Sequence, residues 1–289
     1  MSEVQKLNNE NLTPENNNIE INDVEELTPY ERVTIARNPN RPTSLDFINA
    51  IFTDFFKLSG DRKYKEDESI LGGIAFLGKT PVTVIAHRKG KNLEENLRFN
   101  FGMPSPEGYR KAERLMLAAE KFNRPVITLI DTPGAYPGLE AEERGQGEAI
   151  ARCLYTLSGL KVPVIAVVIG EGGSGGALAI GVSDHLIMLK NAVFSVLSPE
   201  GFATILWKDS TKAKEAGELM KMTSYDLKNF GVADEIIDEP EHGAHENPEM
   251  VFEALKLSLE KQVAILSKKK NLQDLRYEKL RKIGLVSMS

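Results

Sequence analysis

The residues of this sequence best suited to chemistry are five glycines within the seven positions 170–176, which also include Ser174. Glycine has no Cβ, so a ligand can approach its backbone closely, and it tolerates positive φ values. The backbone N–H groups of Gly173, Gly175 and Gly176 could therefore hold an oxygen that becomes negative during a reaction, with no reactive side chain involved. A glycine-rich turn needed only for close packing is the structural alternative, although a tight turn needs fewer glycines.

Two familiar signatures fit the same positions in part. The dinucleotide-binding pattern G-x-G-x-x-G fits 170–175, but Lys190 stands where the acid that binds the ribose is expected. The nucleophile-elbow pattern G-x-S-x-G places Ser174 at its centre and requires a histidine and an acid, for which His185 and Asp184 are the nearest candidates. Because neighbouring residues of a strand point to opposite faces, these two are poorly placed to act together.

The glycines lie between elements that can hold them in place. The apolar, β-branched run 162–169 predicts a strand buried on both faces, and 177–182 predicts a tightly packed helix, so the glycine amides would lie at a helix N-terminus. A second unit of the same design follows the strand predicted at 125–130, with a glycine-bearing loop at 131–138 and a helix at 140–160. Two such units in tandem predict a stacked α/β repeat.

The remaining pattern predicts further helices and strands. A helix should start near Thr43 and end at Gly60, with Phe52 and Phe55 on its apolar face. The basic segment 268–282 should be a helix that is exposed or faces a partner. The other predicted elements are a hairpin of 70–76 and 82–87, helices at 106–122, 212–222, 224–230 and 252–266, a helix that opens at 198–202, and strands at 186–189, 193–197 and 235–237.

Two other groups of residues indicate weaker alternatives. D-T-P-G at 131–134 matches the magnesium-side element of a GTPase, but the sequence lacks the G-x-x-x-x-G-K-[ST] loop that a GTPase needs. The basic cluster 87–89, followed by Lys91 and Arg98, could contact a phosphate-bearing substrate or could form a solvated loop.

Length and composition limit the class of protein. A chain of 289 residues with 41% hydrophobic residues can bury the core of one large α/β domain. We expect a cytoplasmic protein without a membrane span, because no apolar run approaches about 20 residues and the N-terminus lacks a signal-peptide pattern. The single cysteine, Cys153, excludes an internal disulfide and a four-cysteine zinc site, and its expected place is the core face of a helix.

The acidic net charge is concentrated at one end of the chain. Residues 1–30 hold seven acids and one base, which accounts for the whole net charge of −6 and leaves the remaining chain neutral. The same segment is rich in asparagine and poor in large apolar residues, so 1–30 is predicted to be a disordered acidic tail and 31–289 a single domain with C-terminal helices. No surface typical of a nucleic-acid-binding protein is expected.

Taken together, five segments resemble the alpha subunit of bacterial acetyl-coenzyme A (CoA) carboxylase carboxyltransferases. The similarity covers about 32–285 and keeps the order of the family's segments. It implies a crotonase-like (ClpP/crotonase) α/β fold, a spiral of stacked β-β-α units with flanking helices. The five segments are N-F-G-M-P-S-P-E-G-Y-R-K-A at 100–112, D-T-P-G-A-Y-P-G at 131–138, E-E-R-G-Q at 142–146, G-E-G-G-S-G-G-A-L-A-I-G-V at 170–182 and S-P-E-G-F-A-T-I-L-W-K at 198–208.

The resemblance implies an enzyme that is active only with a second subunit. The implied reaction moves the carboxyl group of carboxybiotin, held by a biotin carboxyl carrier protein, onto acetyl-CoA and gives malonyl-CoA for fatty-acid biosynthesis. The implied partners are a beta subunit in an alpha2beta2 heterotetramer, the carrier protein and biotin carboxylase. Biotin is the implied cofactor, ATP is used at another subunit, and no metal is expected in this chain.

The resemblance also assigns roles to particular residues. The amides of Gly175 and Gly176 would bind the ureido oxygen of biotin, while Gly172 and Gly173 would shape the loop. The oxyanion hole for the thioester is expected on the beta chain, and no side-chain base is evident here, which leaves biotin itself as a candidate proton acceptor. Five further residues are assigned to substrate binding: Gly134, Ala135, Tyr136, Gly201 and Phe202.

Two other classes of function stay open at this point. A serine hydrolase would use Ser174 with His185 and Asp184, so Ser174→Ala would be inactive and a serine-directed probe would label the chain alone. A non-catalytic scaffold would show altered association, but never altered turnover, when the glycines are substituted. A carboxyltransferase subunit should instead keep substantial activity with Ser174→Ala.

Overall fold

The computed structural model describes residues 27–284, which form one mixed sheet with helices packed around it. The first helix, α1 (Pro29–Ala36), is fixed at its start by a capping box in which Thr28 and Glu31 bind each other's backbone. It begins inside the segment 1–30 that we assigned to the acidic tail. Residues 1–26, where all seven acids of that tail lie, are outside the described residues, as are 285–289.

Eight strands within residues 27–284 form the sheet, and their order is β1-β2-β3-β4-β5-β6-β8, with β7 paired to β5. The first three strands are antiparallel neighbours, whereas the pairs from β3 onward are parallel. The hairpin expected at 70–87 is confirmed as β2 and β3. The strands are β1 (Thr53–Lys57), β2 (Ile70–Leu77), β3 (Thr80–His87), β4 (Val126–Thr132), β5 (Val164–Gly173), β6 (His185–Leu189), β7 (Val193–Ser195) and β8 (Glu235–Ile237).

Strand β5 lies at the centre of the sheet and leads into the functional glycines. Every one of its residues is buried, which confirms the strand predicted from the apolar run at 162–169. Its first half pairs with β4 and β6, and its last three residues pair with β7. The strand therefore continues through Gly172 and Gly173. The helix expected at 177–182 starts earlier and is short, as α7 (Ser174–Leu178), so Gly175 and Gly176 lie inside it.

The helices described within residues 27–284 cover both ends and faces of this sheet. The helix predicted at 140–160 is divided at Gly145, whose φ of 81° lies in the left-handed region that favours glycine. The helices after α1 are α2 (Ser44–Ile51), α3 (Leu93–Arg98), α4 (Pro106–Lys121), α5 (Leu139–Glu143), α6 (Gln146–Gly159), α7 (Ser174–Leu178), α8 (Pro199–Trp207), α9 (Ala213–Met220), α10 (Ser224–Asn229), α11 (Pro248–Leu266) and α12 (Leu272–Lys282).

Two predictions about the helices need correction. Helix α2 starts at Ser44 as expected but ends at Ile51, because the chain then enters β1 and pairs with β2; Phe55 lies in that strand, although it still packs on the core. Helix α12 is anchored rather than fully exposed, since the guanidinium of Arg276 is buried and binds the carboxylate of Asp184 at 2.8 Å. Pairing partners distant in sequence decide both outcomes.

Candidate functional site

The candidate site lies where strands β4 and β5 end. The two strands are parallel, so the segments that include their last residues, 131–138 and 170–176, meet at one edge of the sheet. A Cβ built on Gly173 would come closer than 3.0 Å to the backbone of Pro133, and one on Gly176 would come equally close to the backbone of Gly134 and Ala135. These glycines are therefore required because the two segments pack backbone against backbone.

Gly175 has a different environment from its neighbour Gly176. Among the described residues, a Cβ on Gly175 would contact only the Cγ2 atom of Ile150, at 3.9 Å, and Gly175 itself is partly exposed whereas Gly176 is buried. Both belong to the first turn of α7, where N–H groups have no intrahelical acceptor. The site thus presents backbone amides on a turn that is supported from behind and open in front.

Ser174 stands at the exposed start of α7 with a φ of 55°, in the left-handed region. The serine-hydrolase hypothesis is wrong, because His185 pairs in register with Ile165 at the opposite end of β5. At about 3.3 Å per residue, the eight residue steps from Ile165 to Gly173 separate the two ends by about 26 Å. The His185 imidazole instead binds the carboxylate of Glu235 at 3.0 Å.

The basic cluster after β3 is not a free cationic surface. The ammonium group of Lys89 binds Asp131 at 2.6 Å, Lys91 binds Asp46 at 2.7 Å, and Arg98 binds Glu68 at 2.7 Å. Within residues 27–284 the cluster is thus held in ion pairs. The sequence could not show this, because the acids come from three other segments of the chain.

His87 lies beneath the glycines and stays uncharged. The imidazole is fully buried, and this burial lowers its pKa to about 3, although the charge of Asp131 and the Gly176 backbone act in the opposite direction. Desolvation dominates because the charged form would have no water around it. A neutral imidazole therefore supports the back of the site at every physiological pH.

Asp131 is the residue of this site that the sequence analysis missed. Its Oδ1 atom accepts the Glu171 backbone N–H at 3.0 Å in addition to the Lys89 ammonium. A Cβ on Gly170 would lie 2.6 Å from the same oxygen, so the carboxylate packs directly on the glycine segment. The sequence signal that could have identified Asp131 was an acid at the end of one predicted strand, together with a glycine at the end of the next predicted strand.

A second ion-pair chain ties the glycine segment to two helices. Glu171, inside the segment, accepts hydrogen bonds from Nε and Nη2 of Arg37, at 3.0 and 2.6 Å, at the end of α1. The same guanidinium reaches Glu200 on α8 at 2.9 Å. Two of the residues assigned to substrate binding, Gly201 and Phe202, follow Glu200 in the first turn of α8.

The other three residues assigned to substrate binding lie against the glycines. Gly134 has a φ of 153°, and no atom of the described residues lies within 4 Å of its Cβ position. The backbone of Tyr136 donates to the carbonyl of Pro104 at 3.0 Å, and its own carbonyl accepts the side-chain amide of Gln146 at 2.9 Å. These hydrogen bonds fix the loop at Tyr136, while the space around the Cβ position of Gly134 stays open.

Metal and dinucleotide chemistry find no further support in the described residues. Between residues 27 and 284, no three His, Cys, Asp or Glu side chains are grouped so that they could hold a metal ion. Lys190, at the place of the ribose-binding acid, lies 3.7 Å from Asp238. No helix in that range is long and apolar enough to cross a membrane.

Comparisons of sequence identify close relatives over almost the whole chain. The family model described as acetyl co-enzyme A carboxylase carboxyltransferase-like matches residues 2–284. A relative from Clostridium acetobutylicum is 57% identical over 262 residues, covering 90% of this chain and 96% of the relative. One from Geobacillus thermodenitrificans is 54% identical over 290 residues, covering 99% and 87%. Both relatives are named acetyl-coenzyme A carboxylase carboxyl transferase subunit alpha.

Solved structures share the fold at low sequence identity. The transcarboxylase 12S hexamer matches with a TM-score of 0.65 and 20% identity, over 78% of this chain and 42% of that chain. The beta subunit of Pseudomonas aeruginosa geranyl-CoA carboxylase matches with a TM-score of 0.62 and 14% identity, over 85% and 46%. This chain thus spans less than half of either structure, and the likeness confirms the crotonase-like fold.

The family model and the relatives agree with the segments singled out from the sequence. The relatives are subunits of a biotin-dependent enzyme, and the designation alpha implies a second, beta-type subunit. The chain belongs to the acetyl-CoA carboxylase carboxyltransferase family, as a subunit of the alpha type.

Proposed function

We propose that this chain, together with a beta subunit, transfers the carboxyl group of carboxybiotin to acetyl-CoA and gives malonyl-CoA for fatty-acid biosynthesis. The observation that supports this most is the glycine turn at the end of β5, which is packed against 133–135 behind and is open at Gly175 in front. Such a turn suits a reaction whose main need is to stabilise a negative oxygen. With His185 about 26 Å away, the triad of Ser174, His185 and Asp184 does not compete with this interpretation.

The proposed chemistry of this chain is electrostatic. Carboxybiotin on a separate carrier protein would supply the carboxyl group, and the chemistry would require a donor for the negative charge on its ureido oxygen. The N–H groups of Gly175 and Gly176 would donate hydrogen bonds to that oxygen, with Gly172 and Gly173 fixing the shape of the segment. Removal of one such donor typically costs about 2.7–4 kcal/mol of transition-state stabilisation.

The residues present fit a bound ring system at this place. The Cβ positions of Gly134 and Gly175 are open, so side chains there would fill the space in front of the turn. We assign Gly134, Ala135 and Tyr136 to one wall of this space. Gly201 and Phe202 on α8 would contribute a second wall, since Glu200 ties that helix to the glycine segment through Arg37.

A beta subunit would complete the site by supplying the CoA contacts and the oxyanion hole for the thioester. Four exposed apolar side chains support this, because they lie on α8 and α9 and on the connection from β7 to α8, and β7 pairs with the glycine end of β5. Large exposed apolar patches commonly mark protein interfaces. We call these residues the α8–α9 patch; they are Val196, Ile205, Leu206 and Leu219.

We further propose an alpha2beta2 heterotetramer that works with a biotin carboxyl carrier protein and a biotin carboxylase. ATP would be used at the carboxylase and not on this chain. The cytoplasmic location expected from the sequence stays a prediction, as does the absence of a metal from this chain.

Malonyl-CoA decarboxylation in the presence of free biotin, the reaction in reverse, tests the proposal. The chain, its cognate beta subunit and the reconstituted complex should be assayed separately. We expect activity only in the complex, because the two oxyanion holes would lie on different chains. No activity in a complex whose assembly has been confirmed would contradict the acetyl-CoA assignment.

Variants of Ser174 separate this proposal from a hydrolase that arranges its residues differently from the present structure. Ser174→Ala should keep substantial activity, and Ser174→Gly should do so as well, because glycine tolerates the φ of 55° without strain. An inactive Ser174→Gly complex, combined with labelling of the wild-type chain by a serine-directed probe, would favour a nucleophilic role for this serine.

A further inference from the structure

We propose that Asp131, supported by Lys89, is a positioning residue that sets the direction of the glycine turn and thereby the rate of carboxyl transfer. This inference rests on the function proposed above. Asp131 touches neither proposed amide donor. It would act through the backbone of Gly170 and Glu171, immediately before the turn.

The register of the sheet aims the Asp131 side chain at the neighbouring strand. The β4–β5 ladder is regular up to Ile130 and becomes irregular between Ile130 and Thr132, so Asp131 lies at the irregularity. Such irregularities redirect side chains and occur often near active sites. Here the carboxylate accepts the Glu171 N–H at 3.0 Å and fills the space beside Gly170 that a Cβ would otherwise occupy.

The Glu171 hydrogen bond restrains a peptide that is flanked by glycine. Glycine on either side of Glu171 allows many backbone conformations, and the Asp131 carboxylate adds a side-chain acceptor to the pairing of this segment with β7. A displacement of about 1 Å in a group that positions the reacting atoms can cost roughly 10²-fold in rate. Asp131 therefore contributes to catalysis by holding the turn, with both of its hydrogen bonds made to groups of this chain.

Lys89 holds the Asp131 carboxylate in its orientation. Its ammonium group donates to the same Oδ1 atom at 2.6 Å, and both side chains are mostly buried. A hydrogen bond to an ionised acceptor is roughly twice as strong as one between neutral groups. Lys89 follows β3 directly, so the pair links the ends of three consecutive strands of the sheet.

Asp184 offers a matched control at the other end of the same strand. Its carboxylate accepts the backbone N–H of Val164 at 2.8 Å and binds the guanidinium of Arg276 at 2.8 Å. Like Asp131, it combines one backbone N–H of β5 with one buried cation. It differs in accepting two hydrogen bonds from its cation and in standing at the end of β5 that is remote from the glycines.

The kinetic test uses the reconstituted alpha–beta complex and malonyl-CoA decarboxylation, with rates normalised to folded complex. We expect Asp131→Ala to lower kcat by about 100-fold while KM for malonyl-CoA stays near the wild-type value. Asp131→Asn should retain more activity than Asp131→Ala, because its amide oxygen can still accept the Glu171 N–H. Lys89→Met should have an activity similar to that of Asp131→Asn. Asp184→Ala should lower stability but leave kcat unchanged. Wild-type kcat in Asp131→Ala, or an equal fall in Asp184→Ala, would overturn the inference.

Hydrogen exchange gives a readout that does not depend on activity. In Asp131→Ala, amides of the peptide covering 168–176 should exchange faster than in the wild type, whereas Asp184→Ala should affect only the peptide that contains Val164. Unchanged exchange at 168–176 would overturn the positioning role. If the wild-type complex has no decarboxylation activity, the proposed function fails, and the exchange result alone then decides whether Asp131 holds the turn.

Discussion

The adjacent glycines Gly175 and Gly176 are required for different reasons. Gly176 has no room for a side chain, because the backbone of Gly134 and Ala135 lies too close to its Cβ position. A Cβ on Gly175 would have only Ile150 within contact distance among the described residues. The requirement for glycine at position 176 therefore comes from packing within the chain. At position 175 it would come from the substrate side, where the proposed ureido oxygen approaches.

Alanine substitutions should separate these two requirements. We expect Gly176→Ala to lower the free energy of unfolding by about 1–3 kcal/mol, the usual cost of overpacking, and Gly175→Ala to leave it unchanged. In the alpha–beta complex, a bulky residue at either position should abolish decarboxylation. At Gly176 the cause would be a disturbed fold, whereas at Gly175 it would be a side chain on the substrate side of the turn. Urea unfolding of the isolated chain is the measurement, and equal destabilisation by the two alanines would contradict this division of roles.

The buried imidazole of His87 should make stability depend on pH. Above pH 6.5 the ring is neutral in both the folded and the unfolded chain. Below that value the unfolded chain binds a proton, but the folded chain does not until its pKa of about 3. Folding stability therefore falls as the pH decreases from 6.5 towards 3, by up to about 1.4 kcal/mol per pH unit from this group.

Urea unfolding at pH 7.5 and pH 5.5 measures this contribution. From the linkage relation, His87 alone should remove about 1.4 kcal/mol of stability between these two pH values, and His87→Gln should lack that part of the loss. His242→Gln, which changes an exposed histidine, is the control and should retain the wild-type difference. An unchanged pH dependence in His87→Gln would show that the ring already takes up its proton in the folded chain.

The sequence revealed the glycines of the site but not their supports. A dense run of glycine can be recognised from the sequence alone. Glycine loses much conformational entropy on folding, so such a run indicates a structural or functional requirement. The roles of Asp131, Lys89 and Arg37 depend on contacts between strands and helices that are far apart in sequence. An acid after a strand has many possible partners, and only the sheet register selects one.

Elements buried on every side were predicted best. The strand at 162–169 and the hairpin at 70–87 are confirmed, because continuous apolar runs and turn residues report directly on local structure. The helix expected to reach Gly60 ends at Ile51 instead, since pairing of β1 with β2 overrides the helical spacing of its aromatic residues. Edge strands depend on their neighbours and are harder to recognise from sequence.

The buried side chain of Arg276 anchors helix α12. Arg276 is fully buried and binds the carboxylate of Asp184 as well as the backbone carbonyls of Leu157, Leu160 and Val162. These acceptors lie at the end of α6 and in the connection to β5. The helix therefore holds together the segment from which the central strand starts.

Removal of this guanidinium should be strongly destabilising. Arg276→Ala leaves Asp184 buried without its cation, for which we expect a loss of about 3–5 kcal/mol in the free energy of unfolding. Arg276→Lys should not restore it, because a single ammonium cannot replace the planar group with its several donors. Arg281→Ala, in the exposed last turn of the same helix, is the control. Equal stabilities of Arg276→Ala and Arg281→Ala would show that α12 is not anchored in this way.

At the scale of the whole molecule, the parallel strands place all the candidate chemistry at one edge of the sheet. The glycine segment, Asp131 and the start of α8 lie there, and the α8–α9 patch is linked to them through Glu200 and Arg37. The opposite edge holds structural ion pairs such as that of Arg276 with Asp184. A partner that completes the active site should therefore bind over the α8–α9 patch and not at the opposite edge.

A charged residue in the α8–α9 patch should prevent assembly without unfolding the chain. The side chain of Ile205 is 68% exposed, so Ile205→Asp should leave the thermal midpoint unchanged, while the new charge would be buried against the beta subunit. Loss of an interface hot spot costs 2 kcal/mol or more, so we expect the dissociation constant of the complex to rise at least about 30-fold. Decarboxylation at low subunit concentration should fall in parallel and recover as the concentration increases.

Tyr155→Asp provides the control for this measurement. Tyr155 is 84% exposed on α6, near the edge of the sheet where β5 starts, so its substitution should leave both folding and assembly intact. Sedimentation of each variant with the beta subunit separates loss of binding from loss of turnover. If Tyr155→Asp prevents assembly while Ile205→Asp does not, the beta subunit binds the opposite edge, and the glycine turn would then have to act without a neighbouring chain.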